Sequence, residues 1–110
     1  MQKTEEETRE NLMQLQLAEQ GLQNLILQKQ MFQVEVIEAD NALDELKKVG
    51  GEVYKLVGSL MFKSDRTDLK KWLEKKKDIL NLRIRSIERQ EEELKNKVNS
   101  LRERVMKSLR

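Results

Sequence analysis

The chain has 110 residues, of which 22 are Lys or Arg and 20 are Asp or Glu, and it contains neither His nor Cys. Their absence excludes the common metal clusters, the Ser-His and Cys-His catalytic pairs and disulfides, which removes most enzyme classes. The polar residues near the hairpin are explained by turn and cap chemistry, so we expect a protein that is not an enzyme and has no metal or cofactor. No segment approaches a signal peptide or a membrane span, and a chain with 38% charged and 4% aromatic residues buries little apolar area alone, which predicts a soluble intracellular protein with partner subunits.

The first arm of the sequence has apolar residues at alternating steps of three and four, which is a heptad pattern. We predict a helix over residues 4–49, interrupted on its apolar seam by Lys29 and ended by Gly50 and Gly51. Gly21 lies inside this helix, where we expect a tolerated weak point that costs about 1 kcal/mol relative to Ala. The seam consists of Leu15, Ala18, Leu22, Leu25, Phe32, Val36, Ala39, Leu43 and Leu46.

The segment Glu52 to Lys63, EVYKLVGSLMFK, breaks the helical period. Strand-forming residues flank Gly58 and Ser59, a plausible two-residue turn, so we predict a β-hairpin over residues 52–63. A lone hairpin is marginally stable and has two open edges, so we expect it to pair with hairpins of other subunits in a closed barrel. The alternative is that it folds back on its own helix bases, near Leu69, Trp72 and Leu73. The predicted oligomerisation residues are Val53, Tyr54, Leu56, Val57, Leu60, Met61 and Phe62.

The second arm predicts a helix over residues 66–109, with Ser64 or Asp65 as its cap. Both arms fit one antiparallel register in which Leu15 faces Leu101 and Leu43 faces Leu73. The second seam consists of Leu73, Leu80, Ile84, Ile87, Leu94, Val98, Leu101 and Val105. In this register the polar interruptions face apolar residues and snorkel: Lys29 faces Ile87, Glu91 faces Leu25 and Lys77 faces Ala39.

The hairpin EVYKLVGSLMFK between two coiled-coil arms, followed by SIERQEEELKNKV (Ser86 to Val98), resembles the β-class subunit of prefoldin, of the archaeal type. The resemblance covers nearly the whole chain, so residues 1–110 are expected to form one prefoldin-like domain. It implies a mainly α fold, a long antiparallel two-helix coiled coil whose central β-hairpin joins an intersubunit β-barrel. It further implies a cytoplasmic hexamer of two α-class and four β-class subunits, an ATP-independent holdase that binds unfolded or nascent polypeptides and delivers them to a group II chaperonin.

The residues themselves suggest where clients bind. Five apolar side chains near the ends of the arms lie off the seam, and exposed apolar patches usually mark interaction sites. These client-binding candidates at the coiled-coil tip are Leu12, Met13, Leu17, Met106 and Leu109. The alternative is that the helix ends fray and that apolar positions drift across the seam. A second off-seam row, which either lines an inner surface or packs on a neighbouring subunit, is Leu27, Met31, Val34 and Ile37.

Two other function classes fit parts of the sequence. A structural coiled-coil tether without chaperone activity would explain the arms but not the hairpin. A nucleic-acid binder is suggested by Trp72 among five lysines, but a net charge of +2 offers little neutralisation of phosphates, so we expect no nucleic-acid partner. The lysines in question are Lys70, Lys71, Lys75, Lys76 and Lys77.

Overall fold

The computed structural model describes residues 2–109, with side chains from residue 5 onward. The elements are helix α1 (Gln2–Lys48), strand β1 (Val53–Val57), strand β2 (Leu60–Ser64) and helix α2 (Arg66–Ser108). This order confirms the predicted fold class, two long helices joined by an antiparallel hairpin, and the ends of the elements differ from the predicted bounds by one or two residues. The chain divides into two compact units, each formed by a segment of α1 and a segment of α2.

The hairpin belongs to the unit Met31–Ile84. Its strands pair from Val53 with Ser64 at the open end to Val57 with Leu60 at the turn. Gly58 has a φ of 60° and Ser59 has no positive φ, so the turn is of type II′ with glycine in its first central position. The turn twists in the same sense as the strands, which explains why the loop needs only Gly58 and Ser59.

Helix α1 stops just before the paired glycines. The N–H of Val49 makes the last helical hydrogen bond, to the carbonyl of Glu45 at 3.0 Å, and Gly51 then turns the chain with a φ of 91°. The last carbonyls of a helix have no partner within the helix. Arg66, the first residue of α2, donates a hydrogen bond to the carbonyl of Leu46 near the end of α1. This hydrogen bond joins the two helix ends that flank the hairpin.

Helix α2 begins directly after β2. The N–H of Leu69 donates to the carbonyl of Asp65 at 2.9 Å, which makes Asp65 the N-cap residue. Ser64, the other candidate cap, is the last residue of β2, and its hydroxyl donates to the carbonyl of Asp65 at 3.2 Å. The sequence pattern predicts that the seam of α2 starts at Leu73. Leu69 is also buried, so the seam starts one turn earlier than predicted.

The other unit combines the segment of α1 up to Gln30 with the segment of α2 from Arg85. Its core contains Ala18, Val98 and Leu101, with Leu15 and Leu94 packed against them. These contacts confirm the antiparallel pairing of the two seams in this unit. Gly21 lies against the opposite helix: a Cβ there would lie 3.3 Å from Cδ2 of Leu94, so an alanine would require the Leu94 side chain to shift by a few tenths of an ångström.

The polar interruptions of the seams form ion pairs across the seam, which the predicted register does not include. In one unit, Nζ of Lys29 lies 2.8 Å from Oε1 of Glu91, whose side chain is only 6% exposed. In the other unit, Nζ of Lys77 lies 2.6 Å from Oδ1 of Asp40. Long side chains reach one neighbour further along the opposite helix, so the interruptions become ion pairs across the seam.

Within residues 2–109, neither helix is both long enough and apolar enough to span a bilayer.

Candidate functional sites: the hairpin surface and the terminal apolar cluster

The hairpin surface consists of apolar side chains that the rest of the chain leaves exposed. Six of its seven predicted residues are between 48% and 68% exposed, and Val53 is half-buried. The exposed six are Tyr54, Leu56, Val57, Leu60, Met61 and Phe62. The helix bases leave these six side chains exposed. Their role in oligomerisation stays a prediction.

The strand register assigns these side chains to two faces, because neighbours along a strand alternate. Lys55 leans from one face onto helix α2, where its Nζ lies 5.0 Å from the ring centroid of Trp72. That face carries Val53, Lys55, Val57, Leu60, Phe62 and Ser64, and the opposite face carries Tyr54, Leu56, Met61 and Lys63. Both faces therefore present apolar residues to a partner.

The hairpin also has two free backbone edges. The residues that flank a two-residue turn form a hydrogen-bonded pair, and such pairs alternate with pairs whose backbone groups point outward. Val57 and Leu60 flank the turn, so the outward groups on β1 belong to Tyr54 and Leu56, and those on β2 belong to Met61 and Lys63. Each edge can accept a strand from another subunit.

A polar network closes the open end of the hairpin. The hydroxyl of Tyr54 donates to Oε2 of Glu52 at 2.7 Å, and Nζ of Lys63 lies 3.1 Å from Oε1 of the same carboxylate. The hydrogen bond from Tyr54, and then that from Lys63, lower the pKa of Glu52 below its ordinary value. The same carboxylate raises the pKa of Tyr54. The network links the two strands on the face that carries Leu56 and Met61.

Arg66 holds the hairpin between the helix ends, and the sequence reasoning missed it. Its guanidinium donates to the carbonyls of Leu46 at 2.6 Å, Gly51 at 3.3 Å and Val49. The sequence does contain a signal for this role, because Arg66 is the first residue of α2. The nearby end of α1 has carbonyl groups without partners, and Gly50 and Gly51 have no side chains to bind them. Arginine fits this position because its planar group presents several donors at once.

We call five residues the terminal apolar cluster: Leu12, Met13, Leu17, Met106 and Leu109. All five lie in the unit that contains the N-terminal part of α1 and the C-terminal part of α2. Their exposed fractions range from 41% for Leu12 to 70% for Leu109. Met13 and Leu17 lie one turn apart on α1, Met106 lies in the last turn of α2, and Leu109 directly follows that helix. Leu109 lines a shallow groove with Glu5, Thr8 and Arg9.

The second off-seam row of α1 is exposed along its whole length. Leu27, Met31, Val34 and Ile37 have exposed fractions between 54% and 68%. Seam residues on the same helix are buried or half-buried, Ala18 and Ala39 being the most buried of them. Helix α1 thus carries apolar side chains on its outer face as well as on the face that packs against α2.

The described side chains from Glu5 to Leu109 include no cluster of three or more carboxylates that could bind a metal ion. What these residues offer is exposed apolar surface and free strand edges, an arrangement suited to binding other polypeptides.

Comparison with known proteins gives a consistent result. Residues 9–110 match the prefoldin subunit family. The chain is 39% identical to the prefoldin subunit beta of Thermococcus onnurineus over 99 residues, which cover 88% of this chain and 85% of that protein. It is 37% identical to the prefoldin subunit beta of Methanothrix thermoacetophila over 100 residues, which cover 89% of this chain and 83% of that one.

The fold has a counterpart among solved structures. The crystal structure of the prefoldin beta subunit from Thermococcus strain KS-1 is similar with a TM-score of 0.82 and 35% sequence identity. The match covers 94% of this chain and 93% of that chain, so it includes the hairpin and most of both helices.

Proposed function

The chain belongs to the family of prefoldin β subunits, which are chaperone subunits without enzymatic activity, and we propose that it acts as an ATP-independent holdase in the cytoplasm. Prefoldin β subunits form hetero-oligomers with other prefoldin subunits. In this proposal the chain binds unfolded or nascent polypeptides and delivers them to a group II chaperonin.

The hairpin surface provides the assembly function in this proposal. Four copies of this chain and two copies of an α-class subunit join their hairpins into a closed β-barrel platform. Strand pairing at both edges would satisfy the outward backbone groups of Tyr54, Leu56, Met61 and Lys63, and the barrel interior would cover Val57, Leu60 and Phe62. Exposure of this surface in the isolated chain supports the need for partner strands.

Client capture belongs to the terminal apolar cluster. The observation that carries this assignment is the contrast between Met13, which is 60% exposed, and Ala18 on the same helix, which is 6% exposed. Exposed Met and Leu side chains suit a surface that binds many sequences, because the flexible thioether of Met adapts to varied apolar groups. No nucleotide is needed for capture, since apolar contact alone drives it.

The test replaces Leu12, Met13, Met106 and Leu109 together with Ser and measures suppression of client aggregation by the assembled complex. All four side chains are at least 41% exposed, so helicity and assembly should persist while suppression falls severalfold. Circular dichroism and native mass measurement check that the variant is folded and assembled.

A matched control changes the four residues of the second off-seam row of α1, Leu27, Met31, Val34 and Ile37, to Ser. This control removes a similar exposed apolar area, so it separates the position of the surface from its hydrophobicity. Full suppression by the cluster variant, or loss confined to the control, would refute the assignment of capture to the terminal apolar cluster. Absence of suppression by the wild-type complex itself would favour a structural tether.

A further inference from the structure

An open groove of about 410 Å³ lies on helix α2 within the unit Met31–Ile84. Helix α2 contributes aromatic, aliphatic and basic side chains to its lining, and α1 contributes Glu35. The lining residues used below are Trp72, Lys75, Lys76, Ile79, Arg83 and Glu35. None of them belongs to the hairpin surface or to the terminal apolar cluster, so the proposed function leaves the groove without a role.

The cations around this groove have no ion-pair partner among the side chains from Glu5 to Leu109. Elsewhere in the unit Lys77 pairs with Asp40, and Lys63 pairs with Glu52. By contrast, Lys75, Lys76 and Arg83 make no ion pair with any residue between Glu5 and Leu109. Glu35 contributes a carboxylate to the lining, which leaves the groove itself with an excess of two positive charges from three cations and one anion.

Two lysines cover the ring of Trp72. Nζ of Lys76 lies 5.5 Å from the ring centroid, and Lys55 from the hairpin approaches the same ring. A nucleobase would have to displace these ammonium groups in order to stack on the indole. A carboxylate, in contrast, can bind the same ammonium groups where they already stand.

The groove also offers apolar contact beside its charges. Ile79 is 42% exposed, and Trp72 is half-buried. A bulky apolar side chain can rest between them while flanking carboxylates meet Lys75, Lys76 and Arg83. We propose that this groove binds an acidic polypeptide segment that carries one bulky apolar side chain.

The experiment uses Trp72, the single tryptophan of the chain, so that emission from the unassembled chain reports on the groove. The chain is titrated with an acidic peptide that has a central leucine, alone by Trp72 emission and assembled with its α-class partner by the anisotropy of the labelled peptide. Two matched peptides replace either the acidic residues by lysine or the leucine by serine. We expect a saturable change in Trp72 emission with the first peptide, weaker binding with the serine peptide, and none with the basic peptide. Added salt should weaken the binding.

A charge-reversal pair tests the residues. Lys75→Glu with Lys76→Glu should weaken binding about tenfold, whereas Lys95→Glu with Lys97→Glu, exposed lysines of the other unit, should leave it unchanged at the same net charge. Because a change at Lys76 alters the surroundings of Trp72, binding to these variants is measured by the anisotropy of a labelled peptide.

The proposal is wrong if the acidic leucine peptide gives no saturable signal, or if both charge-reversal pairs weaken binding equally. It is also wrong if single-stranded RNA binds at the groove and the acidic peptide does not. Wild-type protein and the three peptides suffice for the first decision, so a variant that fails to fold does not block it. Suppression of client aggregation by the terminal apolar cluster is measured separately and is expected to be unaffected by the Lys75 and Lys76 changes.

Discussion

Arg66 connects the last turn of α1 to the first turn of α2 through a single side chain. Its donors reach the carbonyls of Leu46, Val49 and Gly51, which a helix end would otherwise leave to water. Since Gly50 and Gly51 provide no side chain of their own, the guanidinium supplies the contacts that hold the hairpin between the helices.

We predict that Arg66→Ala lowers the free energy of unfolding by about 1 to 3 kcal/mol, because hydrogen bonds from a charged donor are lost. Arg66→Lys should recover only part of the loss, since an ammonium group cannot reach several carbonyls in the same geometry. Urea denaturation followed by circular dichroism measures both. Arg85→Ala, an exposed position on α2, is the control. Equal stability of the Ala variants at 66 and 85 would contradict this role.

The ion pair of Lys29 and Glu91 gives a second prediction at this scale. Glu91 is only 5% exposed, so removal of Lys29 leaves a carboxylate buried without its counterion. We expect Lys29→Met to lower the melting temperature more than the double change Lys29→Met with Glu91→Leu, in which the seam becomes apolar throughout. If the single variant melts at or above the temperature of the double variant, the ion pair does not hold this part of the seam.

The pH dependence of the pair has a defined sign. The hydrogen bond with Glu91 raises the pKa of Lys29 above its ordinary value of 10.5. A group whose pKa is higher in the folded state contributes stability at pH values below its unfolded pKa, and it loses that contribution as the pH rises through the folded pKa. The melting temperature of the wild-type chain should therefore fall more steeply above pH 10.5 than that of the double variant.

Among the elements, the turn of the hairpin restricts which residue types can occupy it. Gly58 has a φ of 60°, where a residue with a Cβ is strained by about 1 kcal/mol. We predict that Gly58→Ala weakens assembly with the α-class subunit about fivefold while leaving the helices intact. Gly50→Ala is the matched control, because Gly50 has no positive φ and a Cβ there meets nothing within 4 Å. Analytical ultracentrifugation of both variants decides, and equal weakening would contradict the role of the turn.

The elements also show what sequence reasoning can reach. The heptad spacing predicts both helices and the residues of their seams, because burial on one face of a helix leaves a period in the sequence. The Gly58-Ser59 turn is predictable for a similar reason, since few residues accept its backbone geometry. The ion pairs across the seam are not predictable this way: the register places Lys29 opposite Ile87, but a long side chain selects among several neighbours by charge and reach.

Gly21 and Arg66 mark the limit of the same reasoning. Propensity assigns Gly21 a cost within α1, but the effect of a side chain there also depends on Leu94 of the other helix, 3.3 Å from the position of a Cβ. Arg66 belongs to α2 by sequence but acts on the end of α1. Both depend on contacts between residues that are distant in the chain, and a local pattern in the sequence carries no information on such contacts.

For the whole molecule, the balance of charge and hydrophobicity explains why partners are needed. The ion pair between Glu19 and Arg102 is exposed, so it contributes little to stability. The chain leaves its hairpin and the outer face of α1 exposed, and these surfaces become useful when other subunits and clients cover them. The sequence could predict which surfaces are apolar, but what covers them depends on other chains.

The stoichiometry of the native complex tests the central claim most directly. A tagged copy of this chain is recovered from the lysate of its own host, and the native mass and subunit composition of the complex are measured. The account predicts four copies of this chain with two copies of a longer, α-class prefoldin subunit. A homodimer, or a complex without an α-class subunit, would contradict assembly through the hairpin surface and with it the holdase proposal.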